Sequence, residues 1–413
     1  MHRPTPWLML VVLLLGLLFL RDPQAQEGDE HYLRWLLQHS RLVAPAVPLT
    51  IVEIGTDVLG DTPAPMDTKG GASFARSVAI APLEFALFLQ AIMEFHPQVI
   101  AFENILKWRE RDRAQEQVFL DQAMRVPKLL LAAELTAAPD PDAPPLEMQA
   151  FTDVKGRRGN LAEFSGIGRQ PSEEMRLIST LSFVNLPDDV SSDVRVPLLF
   201  MYRGEVIPSF TMQAILLWLR ITPAEVKVEI GSHIALPDGR KVPIDSRGSM
   251  LIHPNAAQTA QRISLNELLL ATQQREGGGS PVLSDLQNSI VLARTPSNPL
   301  SPPEGIAAAI AAIQGNAYIR RVSRWFDALV LAAAVGCMGI ARRLDAGDIV
   351  LCGIAFSAIY CLAALALISS WHIWLPGLLP LGGTWFVIIV SMITRAKPEP
   401  ARGTTIAIPP PVA

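Results

Sequence analysis

Two carboxylates sit near the ends of short apolar runs. Glu53 lies in LTIVEI, residues 49–54, and Glu103 closes QVIAFE, residues 98–103. The aliphatic and β-branched content of both runs predicts strands. In open α/β sheets, ligands bind outside the carboxyl ends of parallel strands. Glu53 and Glu103, with Thr56 and Asn104 beside them, are therefore the candidate ligand-binding residues. A carboxylate pair there can hold a cation or a polar ligand, or share a proton. The simpler reading is that the glutamates cap helices or pair with arginines at the sheet edge.

Other chemistry is sparse. His96, His233 and His253 are scattered, without the spacing of metal ligands. Ser73, Ser182 and Ser264 lack a Gly-x-Ser-x-Gly context. Neither a P-loop nor a dinucleotide fingerprint is present, and the glycine run at 276–280 reads as a loop. Lys107, Arg109, Glu110, Arg111 and Arg113 form a mixed, solvated charge run. The expectation is a protein that is not an enzyme, with no catalytic residues, no metal and no cofactor.

The elements that position the glutamates follow from the pattern. After the strand at 49–54 comes a Gly/Pro/Asp-rich loop at 55–71 and a helix at 83–95, with Phe85, Phe88, Leu89 and Ile92 on one face. The strand at 98–103, a charged helix at 112–124 and a strand at 128–134 complete a β-α-β-α-β series, which argues for parallel pairing. Beyond a Pro/Asp-rich break at 137–145, strands are expected at 181–186, 197–202, 226–235, 241–245, 250–253 and 289–294. Helices are expected at 208–220, 264–271 and 304–314, the last leading into a membrane. Ser264 and Glu267 have capping-box spacing. The fold class is an α/β extracytoplasmic domain, with a partly parallel sheet, flanking helices and antiparallel strand additions. It is attached to an α-helical transmembrane bundle.

That bundle is read from composition. Half of the 413 residues are hydrophobic and the mean hydropathy is +0.29, with the excess at 7–20 and after residue 325. Crossing a bilayer takes about 20 apolar residues. Spans are expected at 325–341, 349–370 and 375–394, the last bent by Pro376 and Pro380. Trp371 and Trp374 bracket the turn between the final two, as interfacial aromatics do. Residues 1–25 read as an uncleaved anchor or as a signal peptide cleaved after Ala25; cleavage there would put Pro23 at the −3 position, a poor fit to a signal peptidase site, and both readings place the following domain outside. A membrane-proximal helix follows at 29–41, and the extracytoplasmic domain runs over 29–321. Arg342 and Arg343, with Arg395, Lys397 and Arg402 in the Pro-rich tail 395–413, place that side in the cytoplasm. Arg320, Arg321 and Arg324 would then lie outside. Gly336, Gly339, Cys337 and Ala332–Ala334 offer small faces for helix packing or a homodimer. No span carries a charge near its centre, which argues against a carrier. All three cysteines, at 337, 352 and 361, lie in the apolar spans. A net charge of −4 gives no reason to expect nucleic-acid binding.

The order of segments resembles the CHASE2 family of extracytoplasmic sensory domains. IVEIG at 51–55 is similar to its opening strand, and FLQAIMEFHPQVIAFENIL at 88–106 to its helix, turn and second strand. SFVNLPDDVSSDVRVPLLFMYRGEVIPSFTMQAILL at 182–217 is the longest likeness, followed by VPIDSRGSMLIHP at 242–254 and ISLNELL at 263–269. Members often carry aspartates at the ends of the first two strands, where this chain has Glu53, Gly55, Thr56 and Glu103. The family's Trp-Pro…Arg stretch is not legible at 78–84, and the segment ARTPSNPLSPPE at 293–304 is compact. These departures put any shared ligand pocket in question. The resemblance implies one span before the domain, three after it, and a location in the bacterial inner membrane. With no output module after the third span, the expectation is signalling through a cytoplasmic or membrane partner. The alternative is an envelope structural or assembly factor whose domain binds a protein.

Overall fold

The computed structural model describes residues 23–41, 44–55, 82–106, 113–139, 148–186, 194–279, 283, 286–295, 305–340 and 346–395. The chain divides into two units. One is Arg41–Arg320; the other joins Met1–Ser40 to Arg321–Ala413.

The first unit is built on one large sheet. Its strands are β1 (Leu49–Glu53), β2 (Val99–Phe102), β3 (Leu129–Thr136), β4 (Gly166–Arg169), β5 (Thr180–Phe183), β6 (Gln261–Ser264) and β7 (Ile290–Arg294). The order is β6-β1-β7-β2-β3-β4, and β5 also pairs with β3. All pairings are parallel except β3 with β4. The expected β-α-β-α-β series is present, but β1 and β2 are not neighbours: β7 runs between them and pairs with both.

Both faces of the sheet are covered, which explains why its strands read as near-continuous apolar runs. Helices α1 (Pro82–Met93), α2 (Arg113–Ala123), α3 (Phe210–Leu219), α4 (Leu265–Glu276) and α5 (Gly305–Gln314) supply the layers. Alternate residues Ile51, Ala101, Leu130 and Leu292 join one core with α3 and α5. Val52, Phe102, Leu131 and Val291 join the other with α1, α2 and α4. Helix α5 departs from expectation. All ten of its residues are buried, so it is a core helix of this domain rather than a lead into a membrane. Its Ala and Ile content suits it to that place on every side. Helix α4 starts as read: Ser264 accepts from the Glu267 N–H, and Glu267 accepts from the Ser264 N–H.

Small sheets of mixed pairing complete the unit, antiparallel except where Asp153–Lys155 meets Lys227–Glu229 and Glu163–Phe164 meets Leu199–Tyr202. Leu199–Tyr202 and Glu205–Pro208 form a hairpin. Its two-residue loop, Arg203-Gly204, has φ of 48° and 85°, the left-handed pair that matches strand twist. Lys227–Glu229, His233–Ala235, Lys241–Pro243 and Asp153–Lys155 form a four-stranded sheet.

The second unit is helical, with Pro23–His39, Arg324–Ile340, Ala346–Trp371 and Gly383–Arg395. Among the described residues one helix, Gly347–Trp371, is long and apolar enough to cross a membrane. The anchor expected at 7–20 lies outside the described residues, as does most of the tail. The span expected at 375–394 is not one α-helix. It begins with a π-helical turn, Leu378–Gly382, and becomes α-helical only at Gly383. Pro380 lacks the N–H of a regular turn. The Thr384 hydroxyl donates to the Pro380 carbonyl at 2.6 Å, satisfying an acceptor there. Trp371 is exposed as expected, whereas Trp374 is only 2% exposed.

Candidate functional site

Register places the candidate residues. Glu53 is level with Arg294 across β1 and β7, and Ala293 is level with Phe102 across β7 and β2. Glu103, the residue after β2, donates its N–H to the Ala293 carbonyl at 3.1 Å. The pleat sends alternate residues to opposite faces. Ile51, Leu292 and Ala101 share a face two residues earlier, so Glu53, Arg294 and Glu103 share it also. The carboxyl edge therefore carries a row of carboxylate, guanidinium and carboxylate.

Arg294 reaches Glu53 at 3.0 Å; its side chain is 11% exposed and that of Glu53 is 32% exposed. Glu103 is more deeply placed, at 3% exposure. Two strand spacings separate the glutamate backbones, roughly 10 Å. Glu53 is taken by the interposed arginine, which favours the arginine-pairing reading of that residue over proton sharing. Beyond the row, Asn104 and Thr295 are joined twice. The Asn104 amide donates to the Thr295 hydroxyl at 2.5 Å, and the Thr295 N–H donates to the Asn104 carbonyl oxygen at 3.0 Å. The edge thus brings Glu53, Glu103 and Asn104 onto the ends of two strands separated by β7; Thr56 lies outside the described residues. Arg294, which ends a strand expected at 289–294, and Thr295 just after it complete the edge; neither was tied to the glutamates in advance.

The histidines have local roles. His253 is buried and accepts from the Asn255 N–H at 3.0 Å, and His233 lies 3.7 Å from Glu229. Among the described residues no group of three His, Cys, Asp or Glu side chains is placed to hold a metal.

The helical unit holds a second polar centre. Asp29 on Pro23–His39 is 7% exposed and Asp327 on Arg324–Ile340 is fully buried. Arg321 donates to both, at 3.3 Å to Asp29 and 2.9 Å to Asp327, and its guanidinium lies over the Trp374 ring at 5.5 Å. That stacking explains why Trp374 is inside the unit. The other oxygen of Asp29 accepts from the Gly377 and Leu378 N–H groups at 3.1 and 2.9 Å. These are donors at the opening of the π-turn, where a carboxylate fits best. Tyr360 donates to the Pro376 carbonyl at 2.5 Å, fixing the same turn. The pattern that announces this centre is an acid one turn into an apolar span with an arginine six residues before it.

Small residues mark the helix crossings. A Cβ on Gly353 would lie 2.4 Å from Ile388, and one on Gly383 would lie 2.8 Å from Leu331. Gly336, expected at a packing face, has no neighbour within 4 Å of that position among the described residues.

No curated protein and no solved structure matched the chain. A family match extends over residues 8–338, taking in the glutamate row together with Asp29, Arg321 and Asp327. The match is to the CHASE2 domain, a sensory domain of extracellular type, and the chain belongs to that family.

Proposed function

We propose that the chain is a multi-pass protein of the bacterial inner membrane whose α/β domain faces outward and senses a ligand or protein there. The observation that carries this reading is the Asp29–Arg321–Asp327 centre. Asp29 precedes the α/β unit in the chain and Arg321 directly follows it. The two connections of the sensory unit thus meet in one buried ionic contact, next to a helix with an acid on its first turn. A change in the domain that shifts either connection strains that contact and moves helix Arg324–Ile340. Membrane residence is supported by Gly347–Trp371, on which Leu351, Ile354, Ile359 and Leu362 are all more than half exposed. A soluble core helix of that composition would bury them.

In this reading one span precedes the domain and three follow it, and the glutamate row with Asn104 is the ligand-facing edge. The signal passes to a partner that recognises the spans or residues 342–348 between the first two of the three that follow the domain. Fusions test the orientation. Alkaline phosphatase joined after Thr272 is expected to be active, and joined after Arg402 inactive. The reverse pattern refutes the proposal.

A further inference from the structure

A cavity of about 540 Å³ opens at the opposite, amino-terminal edge of the main sheet. Its volume is that of a small-molecule site, which runs from roughly 300 to 1,000 Å³. Its polar lining comes from Thr50 of β1, Thr259 and Gln261 at the start of β6, and Gln287, Asn288 and Ser289 before β7. The apolar remainder comes from Val47, Pro48, Leu49 and Leu286. None of these ten residues is ionisable.

The frame is built in advance. Thr259 donates to the Pro45 carbonyl at 2.6 Å and Ser289 to the Leu286 carbonyl at 2.9 Å. The Trp218 indole donates to the Asn288 carbonyl at 2.8 Å. The Pro48 carbonyl accepts from both the Ile290 N–H and the Gln314 amide, at 3.0 and 3.1 Å. These bonds hold backbone on three sides, so a ligand enters without ordering the walls.

The lining selects by chemistry. Among the described lining residues none offers an opposite charge to offset the hydration a charged ligand would lose. Side-chain amides each present a donor and an acceptor, while the Thr259 and Ser289 hydroxyls, whose protons go to backbone carbonyls, present acceptors. That alternation matches a compound that itself carries many hydroxyls. We propose that this cavity binds a neutral saccharide of one or two rings.

The position gives binding a consequence. Val47 and Pro48 line the cavity and continue the chain that arrives from helix Pro23–His39. Gly315, at the end of α5, is packed on the same segment: a Cβ there would lie 2.6 Å from Pro45 and 3.3 Å from Val47. Occupancy therefore bears on the incoming and outgoing connections at once. This site is separate from the glutamate row.

The test uses the full chain in lipid nanodiscs, with trehalose as probe and glucuronate as its charged counterpart. Binding is read by saturation-transfer NMR and by Trp218 fluorescence, with Trp218→Phe assigning the optical signal. The expected result is saturable trehalose binding, little glucuronate binding, and about tenfold weaker trehalose binding in Gln261→Leu, as loss of paired hydrogen bonds implies. Thr50→Val, which keeps shape and removes one hydroxyl, also weakens it and serves if Gln261→Leu fails to fold. Glu205→Gln, an exposed change on the Glu205–Pro208 strand, binds as wild type does. Absence of saturable trehalose binding overturns the proposal, as does equal affinity for glucuronate or wild-type affinity in a folded lining variant.

Discussion

Replacing Arg321 by methionine removes the cation that joins Asp29 to Asp327 while keeping most of the side-chain volume. The two acids then fare differently. Asp29 keeps two backbone donors, at 3.1 and 2.9 Å, on its other oxygen. Asp327, fully buried, loses a guanidinium at 2.9 Å. Removing one member of a buried pair costs about 3–5 kcal/mol, because the charge left behind has already been taken out of water. Removing both members together is close to neutral. Arg321→Met is therefore expected to lose about 3 kcal/mol or more of stability, and Asp327→Leu a comparable amount. The double variant should lose far less than the sum, giving a coupling energy of about 2 kcal/mol or more. The assay is denaturation of the chain in mixed micelles by increasing SDS. Fluorescence of Trp374, whose ring lies 5.5 Å from the Arg321 guanidinium, provides the signal. A loss below about 1 kcal/mol in Arg321→Met, the scale of exposed pairs, would refute the reasoning. So would additive effects in the double variant.

Three further outcomes are expected. Arg294→Met should destabilise the α/β unit by about 1–2 kcal/mol, since Glu53, with its side chain 32% exposed, loses its partner but stays partly hydrated, whereas Glu53→Gln should cost less than about 1 kcal/mol by keeping an acceptor; chemical denaturation of the two variants checks the order. Gly377→Ala puts a Cβ 2.4 Å from the Tyr32 ring, so the ring must move and tightness falls by about 1–3 kcal/mol; unchanged SDS resistance would count against the packing described. Hydrogen bonds from the Thr222 N–H and hydroxyl hold the Glu225 carboxyl below its ordinary range. Its folded pKa is depressed, so its contribution is complete above the ordinary glutamate value and is lost as pH falls through the folded one. Acid titration of stability should therefore flatten in Glu225→Gln over that window.

Much of the domain was legible because its strands are apolar on both faces. Runs such as LTIVE and IVLAR admit few other readings, and the Ser264–Glu267 cap has a spacing that carries its own mechanism. The short strands Asp153–Lys155, Glu163–Phe164 and Gly166–Arg169 were not legible. They are brief and partly exposed, and Gly-Ile-Gly-Arg has no strand preference, so tertiary pairing alone makes them extended. Two of the three residues of the glutamate row, Glu53 and Glu103, are legible from local pattern. Arg294 is not, because nothing in a linear chain says that the last strand inserts between the first two. Counting Arg321 as an outer-side charge likewise hid its bond to Asp29, 292 residues earlier. Trp374 was read as an interfacial aromatic because the cation over its ring comes from a distant segment.

The place of β7 also governs how the domain is made. Its five residues arrive only at 290–294, yet they occupy the middle of the sheet, between strands synthesised about 240 and 190 residues before. Until then β1 and β2 have apolar edges with no neighbour between them. Pairing over such separations is slow, and open edges invite wrong partners. A nascent chain halted before residue 290 would hold five of the six parallel strands and still lack a continuous sheet. Assembly of this domain is therefore close to all-or-none with respect to synthesis, and the last strand acts as its closing step.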